Sequence, residues 1–148
     1  MKSATENSNA LLLENQICFP LYSAANALIR AYKPFLDQLD LTYSQYLVML
    51  VLWQHRAVTV KELGQQLGLD SGTLTPLLKR LESKGLVLRK RSTKDERARI
   101  ISLTRQGKSL EQQAANIPRD LFCKTGLSPA QAKQLKALCQ QLQAVLDN

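Results

Sequence analysis

Apolar residues recur along this chain at helical spacing in six stretches and at strand spacing in two. Over residues 11–39, Leu12, Ile17, Leu21, Ala25, Leu28 and Ile29 follow one long helix. Two prolines interrupt it. Pro20 removes a backbone donor and presses on the carbonyl of Gln16, which predicts a kink near Cys18. Pro34 should bend the helix again. Thr42 and Gln45 make a capping box that opens a second helix, reaching to about Gln54. Its body, YLVMLVLW, is apolar nearly all round, which marks a central buried helix.

Residues 59–87 hold two short amphipathic helices joined by a tight turn. Val60, Leu63 and Leu67 share one face of the first, and Thr59 with Glu62 caps it. Gly68 suits its end, and Asp70 or Ser71 can cap the second. In the second, Leu74, Leu77, Leu78 and Leu81 stand at the spacing of a buried stripe, and Gly85 stops it. The β-rich runs LVLRKR and ARIISLT then flank the polar loop at residues 92–97, which predicts an antiparallel hairpin. A hairpin directly after a helix-turn-helix is a winged helix. Thr104 caps a further helix to about Lys124. Ser128, Pro129 and Gln131 open the last one. That helix aligns Leu135, Leu138, Cys139, Leu142, Val145 and Leu146 on one stripe, so Cys139 reads as a small apolar residue in a packed seam.

The fold class is therefore mainly α with a small β-hairpin wing. A winged helix-turn-helix spans residues 42–103. N- and C-terminal helices, residues 11–41 and 104–148, form a dimerisation region. Residues 1–10 are polar and expected to be a flexible, frayed N-terminus. The winged-helix block can close a core by itself, so the terminal helices carry apolar stripes beyond its needs. Such stripes meet a partner, and a two-fold homodimer is the commonest solution.

Charge sharpens this picture. Residues 56–108 hold thirteen Lys and Arg against five Asp and Glu, and the remaining residues carry seven of each sign. The whole net charge of +8 thus lies with the helical pair and the hairpin. Opposite its leucines, the second helix of the pair offers Ser71, Thr73, Thr75, Pro76, Lys79 and Arg80, with Asp70 at its start. A polar, small-headed, basic-ended face suits a DNA major groove. The bland alternative is a helical hairpin with a solvated face. At the wing, Arg91, Lys94 and Arg97 can reach phosphate or a minor groove. A dimer would place two reading helices on the half-sites of a pseudo-palindromic stretch of double-stranded DNA.

No apolar run reaches bilayer length and no signal-peptide pattern opens the chain, so a soluble cytoplasmic protein without a membrane partner is expected. Three cysteines, Cys18, Cys123 and Cys139, argue against a disulfide framework by their odd count. With no C-x-x-C and one histidine, His55, neither a metal nor another cofactor is expected. Cys18 and Tyr22 stand four residues apart on one helical face, and a phenol can donate a hydrogen bond to a thiolate. Tyr32, Tyr43 and Tyr46 lie near the far end of that helix and the start of the next. In an antiparallel dimer of first helices, Tyr32 and Tyr43 of one subunit could approach Cys18 of the other. Spacing permits this and leaves Cys18 open as a core thiol or a reactive one.

ENQICFPLY, YKPFLDQLDLTYSQYLVMLVLW, LDSGTLTPLLKRLESKGLVLRKRS, KDERARIISLT and RDLFC together resemble the OhrR branch of the MarR family, bacterial repressors that sense organic hydroperoxides. The resemblance runs from about Leu11 into the C-terminal helix. It implies a redox-sensing role for Cys18, with Cys123 as its resolving partner from the other subunit. It implies a sensor pocket of Tyr22, Tyr32 and Tyr43, and a wing pair in which Asp95 orients Arg97. One departure is Pro20, two residues after the reactive position, where the family has an ordinary helix former. On this resemblance the chain is a repressor and not an enzyme. An organic hydroperoxide oxidises Cys18, an intersubunit disulfide to Cys123 forms, and the operator is released. Three readings stay beside it: a one-cysteine mode with a structural Cys123, a ligand-responsive MarR regulator with inert cysteines, and a thiol peroxidase.

Overall fold

Caps and prolines decide where the helices begin and end. The computed structural model describes residues 9–148. Helix α1 spans Cys18–Asp37. The helix expected from Leu11 is therefore shorter. Directly ahead of α1 lies the 3-10 turn Leu13–Asn15, followed by an extended Gln16. The Gln16 amide donates to the carbonyls of Ala10 and Leu12, at 2.7 and 2.9 Å. Pro20 consequently sits in the opening turn of α1, where a backbone N–H has no carbonyl to bond. The expected kink near Cys18 is corrected to a helix start, because Gln16 is extended and the helix holding Pro20 begins only at Cys18. Pro34 does lie inside α1. Of the frayed N-terminus expected over residues 1–10, residues 1–8 lie outside the described residues.

Helix α2, Tyr43–His55, opens on the expected Thr42–Gln45 capping box and ends where Arg56 turns to φ 64°. Strand β1, Ala57–Thr59, follows. Helix α3, Val60–Leu67, is capped by the Thr59–Glu62 box and closed by left-handed Gly68. Helix α4, Ser71–Ser83, takes Asp70 as its N-cap, through a 2.7 Å bond from the Thr73 N–H. Strands β2, Val87–Arg91, and β3, Arg99–Leu103, form the wing. The sheet has three strands in the order β1-β3-β2, all antiparallel, with Ile101 opposite both Val58 and Arg89.

Helix α5 is Arg105–Ala114 and helix α6 is Ile117–Thr125. The single helix expected over this stretch is broken, and Pro118 is the reason. Its ring would press on the carbonyl of Ala114 in a continuous helix, whereas at the start of α6 its missing N–H costs nothing. Helix α7, Pro129–Leu146, begins on the Ser128–Gln131 capping box.

The winged-helix core gathers Val48, Met49 and Leu52 from α2, Leu63 from α3, Leu74, Leu78 and Leu81 from α4, and Val87 and Ile101 from the sheet. Full burial of each such side chain contributes roughly 1.5–3 kcal/mol. Trp53 donates its indole N–H to the Gly107 carbonyl at 3.0 Å and so ties α2 to α5. The chain divides into two compact units between Ala114 and Ala115, so α5 goes with the winged helix. In each unit one helix keeps its apolar side in the open. Leu28 and Ile29 of α1 are exposed, and α7 buries no residue although it carries Leu135, Leu138, Leu142, Val145 and Leu146. Among the described residues no helix is long and apolar enough to cross a membrane.

Candidate nucleic-acid interface and thiol site

The leucine spacing of α4 fixes which of its sides faces out. Leu74, Leu77, Leu78 and Leu81 are buried, and Ser71, Thr73, Thr75, Pro76, Lys79 and Arg80 are exposed. Two of these polar groups also serve the helix. The Thr73 N–H is held by Asp70, and the Thr75 hydroxyl donates to the Ser71 carbonyl at 2.7 Å. The Thr75 oxygen keeps its lone pairs for an outside donor. Asp70, although exposed, is occupied by the cap, and its carboxyl is held below the usual carboxylate range first of all by the Thr73 backbone N–H.

The wing is fastened to α4 by one ion pair. Arg89 on β2 sets its guanidinium against Glu82 Oε1 at 3.1 Å, and its backbone N–H against Glu82 Oε2 at 3.2 Å. The Arg89 side chain lowers the Glu82 carboxyl below its ordinary value. Arg91, Lys94, Asp95 and Arg97 are all exposed. The Asp95 carboxylate accepts the backbone N–H of Arg97 at 3.0 Å, so it fixes the turn that carries the arginine. Between the wing and α4 lies a cleft of about 690 Å³, lined among others by Lys61, Thr75, Arg89, Arg97 and Arg99. Wing and helix therefore present one continuous basic surface.

The thiol site is assembled differently. Cys18 is exposed in the first turn of α1 and free, and Cys123 on α6 and Cys139 on α7 are likewise exposed and free. Cys18 and Cys123 belong to different units. Tyr22 is 66% exposed on α1, and no hydrogen bond among the described residues joins its hydroxyl to Cys18. The structure does bring Tyr32 and Tyr43 together, with ring centroids 5.1 Å apart at 43°. Tyr46 is the member of this cluster that the sequence left outside the pocket. It packs 5.5 Å from Tyr32 and 6.3 Å, edge-on, from Trp53. The TYSQY spacing placed Tyr46 one turn from Tyr43, but only burial turns it inward. Partial burial, and then Tyr46 and Tyr43, push the Tyr32 phenol up to about 12. It is thus a neutral hydrogen-bond donor across the physiological range.

A family model described as the transcriptional regulator SarA/Rot matches residues 30–114. An organic hydroperoxide resistance transcriptional regulator of Bacillus subtilis is 50% identical over 135 residues, which span 91% of this chain and 90% of the relative. AbfR, a protein of Staphylococcus epidermidis, has been solved in more than one redox state. In its reduced form bound to DNA it is 34% identical, covers 92% of this chain and 96% of its own, and superposes with a TM-score of 0.76. In its disulfide form it is 35% identical, covers 95% and 98%, and superposes with a TM-score of 0.63.

Proposed function

We propose a function on one premise: the chain belongs to the MarR family of transcriptional regulators, and within it to the OhrR type. It is a DNA-binding repressor that senses organic hydroperoxides through Cys18 and leaves its operator on oxidation. One observation carries this reading: α4 buries its leucines and turns Ser71, Thr73, Thr75, Pro76, Lys79 and Arg80 outward, beside a basic wing. That geometry admits α4 to a major groove while Arg91, Lys94 and Arg97 meet phosphate or the adjoining minor groove. Asp70 supports the contact as the cap of the reading helix.

The working form is a homodimer. The open apolar sides of α1 and α7 supply the seam, and two α4 helices address the halves of a pseudo-palindrome. Tyr32 and Tyr43, already paired on one chain, receive the Cys18 region of the partner, and Tyr22 lines the same pocket. The Cys18 thiolate attacks a hydroperoxide oxygen. The O–O bond breaks, the alkoxide takes a proton and leaves as alcohol, and sulfur becomes a sulfenic acid. The thiol of Cys123 of the partner subunit displaces water from that sulfenic acid and closes a disulfide. A disulfide needs Cα atoms within about 7 Å, so its closure constrains the helices that carry both cysteines. A thiol reductant reverses it.

The test is a non-reducing gel and a gel shift on one sample after stoichiometric cumene hydroperoxide. Wild type should form a covalent dimer and lose DNA together. Cys123→Ser should form no covalent dimer. DNA release by Cys18→Ser equal to wild type would make the cysteines inert and leave a ligand-responsive regulator. Consumption of many peroxide equivalents per subunit without DNA affinity would make the chain a thiol peroxidase.

A further inference from the structure

Helix α4 ends on a lysine that reaches back to the start of the helix carrying Tyr43. Lys84 is the C-cap of α4, where the last carbonyls face outward and a cation is stabilised. Its ammonium donates to the Asp40 carbonyl and, at 3.0 Å, to Gln45 Oε1. The Asp40 carboxylate stands 3.6 Å away. The Lys84 side chain is only 28% exposed, so this ammonium exchanges much of its water for protein oxygens.

Gln45 is the acceptor that matters. At 3% exposure it is the one buried polar side chain in the core among the described residues. Its Oε1 also accepts the Thr42 N–H at 3.1 Å, while Thr42 Oγ1 accepts the Gln45 N–H at 3.2 Å. One amide oxygen therefore serves two helices. It caps the first turn of α2, which contains Tyr43, and it anchors the C-cap residue of α4, a helix whose other side faces outward. Tyr43 follows Thr42 directly and packs on Tyr32. Any movement of Tyr43 that opens the cap removes or turns the oxygen that holds Lys84. A part-buried charge-assisted hydrogen bond of this kind is stronger than a neutral one, and without it the ammonium is left with the oxygens of Asp40.

We propose that Lys84 is a positioning residue that couples the Tyr32–Tyr43 pair to the orientation of α4, so that the state of the thiol site is felt at the DNA-reading face. This rests on the redox-controlled release proposed above. The coupling differs from a DNA contact. Losing the ammonium would weaken phosphate attraction alike in both redox states, and that loss cancels in the ratio of the two affinities.

The experiment compares DNA affinity before and after stoichiometric cumene hydroperoxide in wild type, Lys84→Met and Lys84→Arg. The probe is a duplex selected by the wild-type protein from a random pool. Lys84→Met keeps the aliphatic stem and should narrow the reduced-to-oxidised affinity ratio by about tenfold, within the usual range of coupling between sites. Its rate of Cys18 oxidation should match wild type. Lys84→Arg should restore most of the ratio. A merely structural lysine would lower the melting temperature and both affinities together. An unchanged ratio in Lys84→Met therefore overturns the proposal. A wild type whose affinity ignores oxidation overturns the redox reading itself, and that failure is distinct because no variant takes part in it.

Discussion

Tyr32 carries the phenol whose ionisation the fold resists. Partial burial, then the neighbouring Tyr46 and Tyr43 rings, raise it from 10.0 to about 12. The folded chain thus keeps a proton that the unfolded chain gives up between those values. The associated stability is fully present below pH 10 and is lost as pH rises through about 12. Thermal melts of wild type and Tyr32→Phe across this window should diverge, with wild type falling more steeply. Parallel curves would remove the cluster from the account. Pro20 gives a second residue-scale prediction. It holds Cys18 in the first turn, and Pro20→Leu would let α1 grow upstream and place the thiol inside a helix. Oxidation of Cys18 by hydroperoxide should slow in that variant, and an unchanged rate would make the proline incidental.

At the scale of elements, close approach matters more than propensity. A Cβ on Gly107 would stand 2.1 Å from the Leu86 carbonyl oxygen, where α5 passes the chain leaving α4. Gly107→Ala should cost on the order of 2–3 kcal/mol or more by overpacking, read by denaturant titration. A neutral result would mean that α5 can slide away. The capping boxes at Thr42, Thr59 and Ser128 were legible because their signal is local, four residues long and chemically specific. The leucine stripe of α4 was legible for the same reason of period. Strand β1 was not, since three residues between two helices carry no alternation to read; only pairing with β3 makes it a strand. The upstream end of α1 was overread because Leu11, Leu12 and Ile17 continue the apolar pattern, yet they are exposed on the single chain. Pro118 divides α5 from α6 without any glycine beside it to mark the break. Lys84 and Gln45 meet across 39 residues, which no spacing rule reports.

For the whole molecule, charge sets the behaviour, and so does symmetry in the proposed homodimer. The basic surface of α4 and the wing predicts DNA binding that weakens steeply with salt, by a slope of about −0.9 for each phosphate neutralised. Arg97→Ala should lower that slope by about one contact per subunit, measured as log affinity against log salt. A slope equal to wild type would place Arg97 off the DNA. The candidate site was legible residue by residue, but its assembly was not. Tyr32 and Tyr43 pack on each other while Cys18 and Tyr22 stand exposed on α1, and in the proposed homodimer the second copy completes the pocket. Redox-controlled release is tested most directly by fluorescence anisotropy of a selected duplex with reduced protein, with protein given one equivalent of cumene hydroperoxide, and after dithiothreitol, in wild type and Cys18→Ser. Wild type should bind, release and bind again, while Cys18→Ser binds throughout. Release by Cys18→Ser at the same peroxide dose would contradict the account.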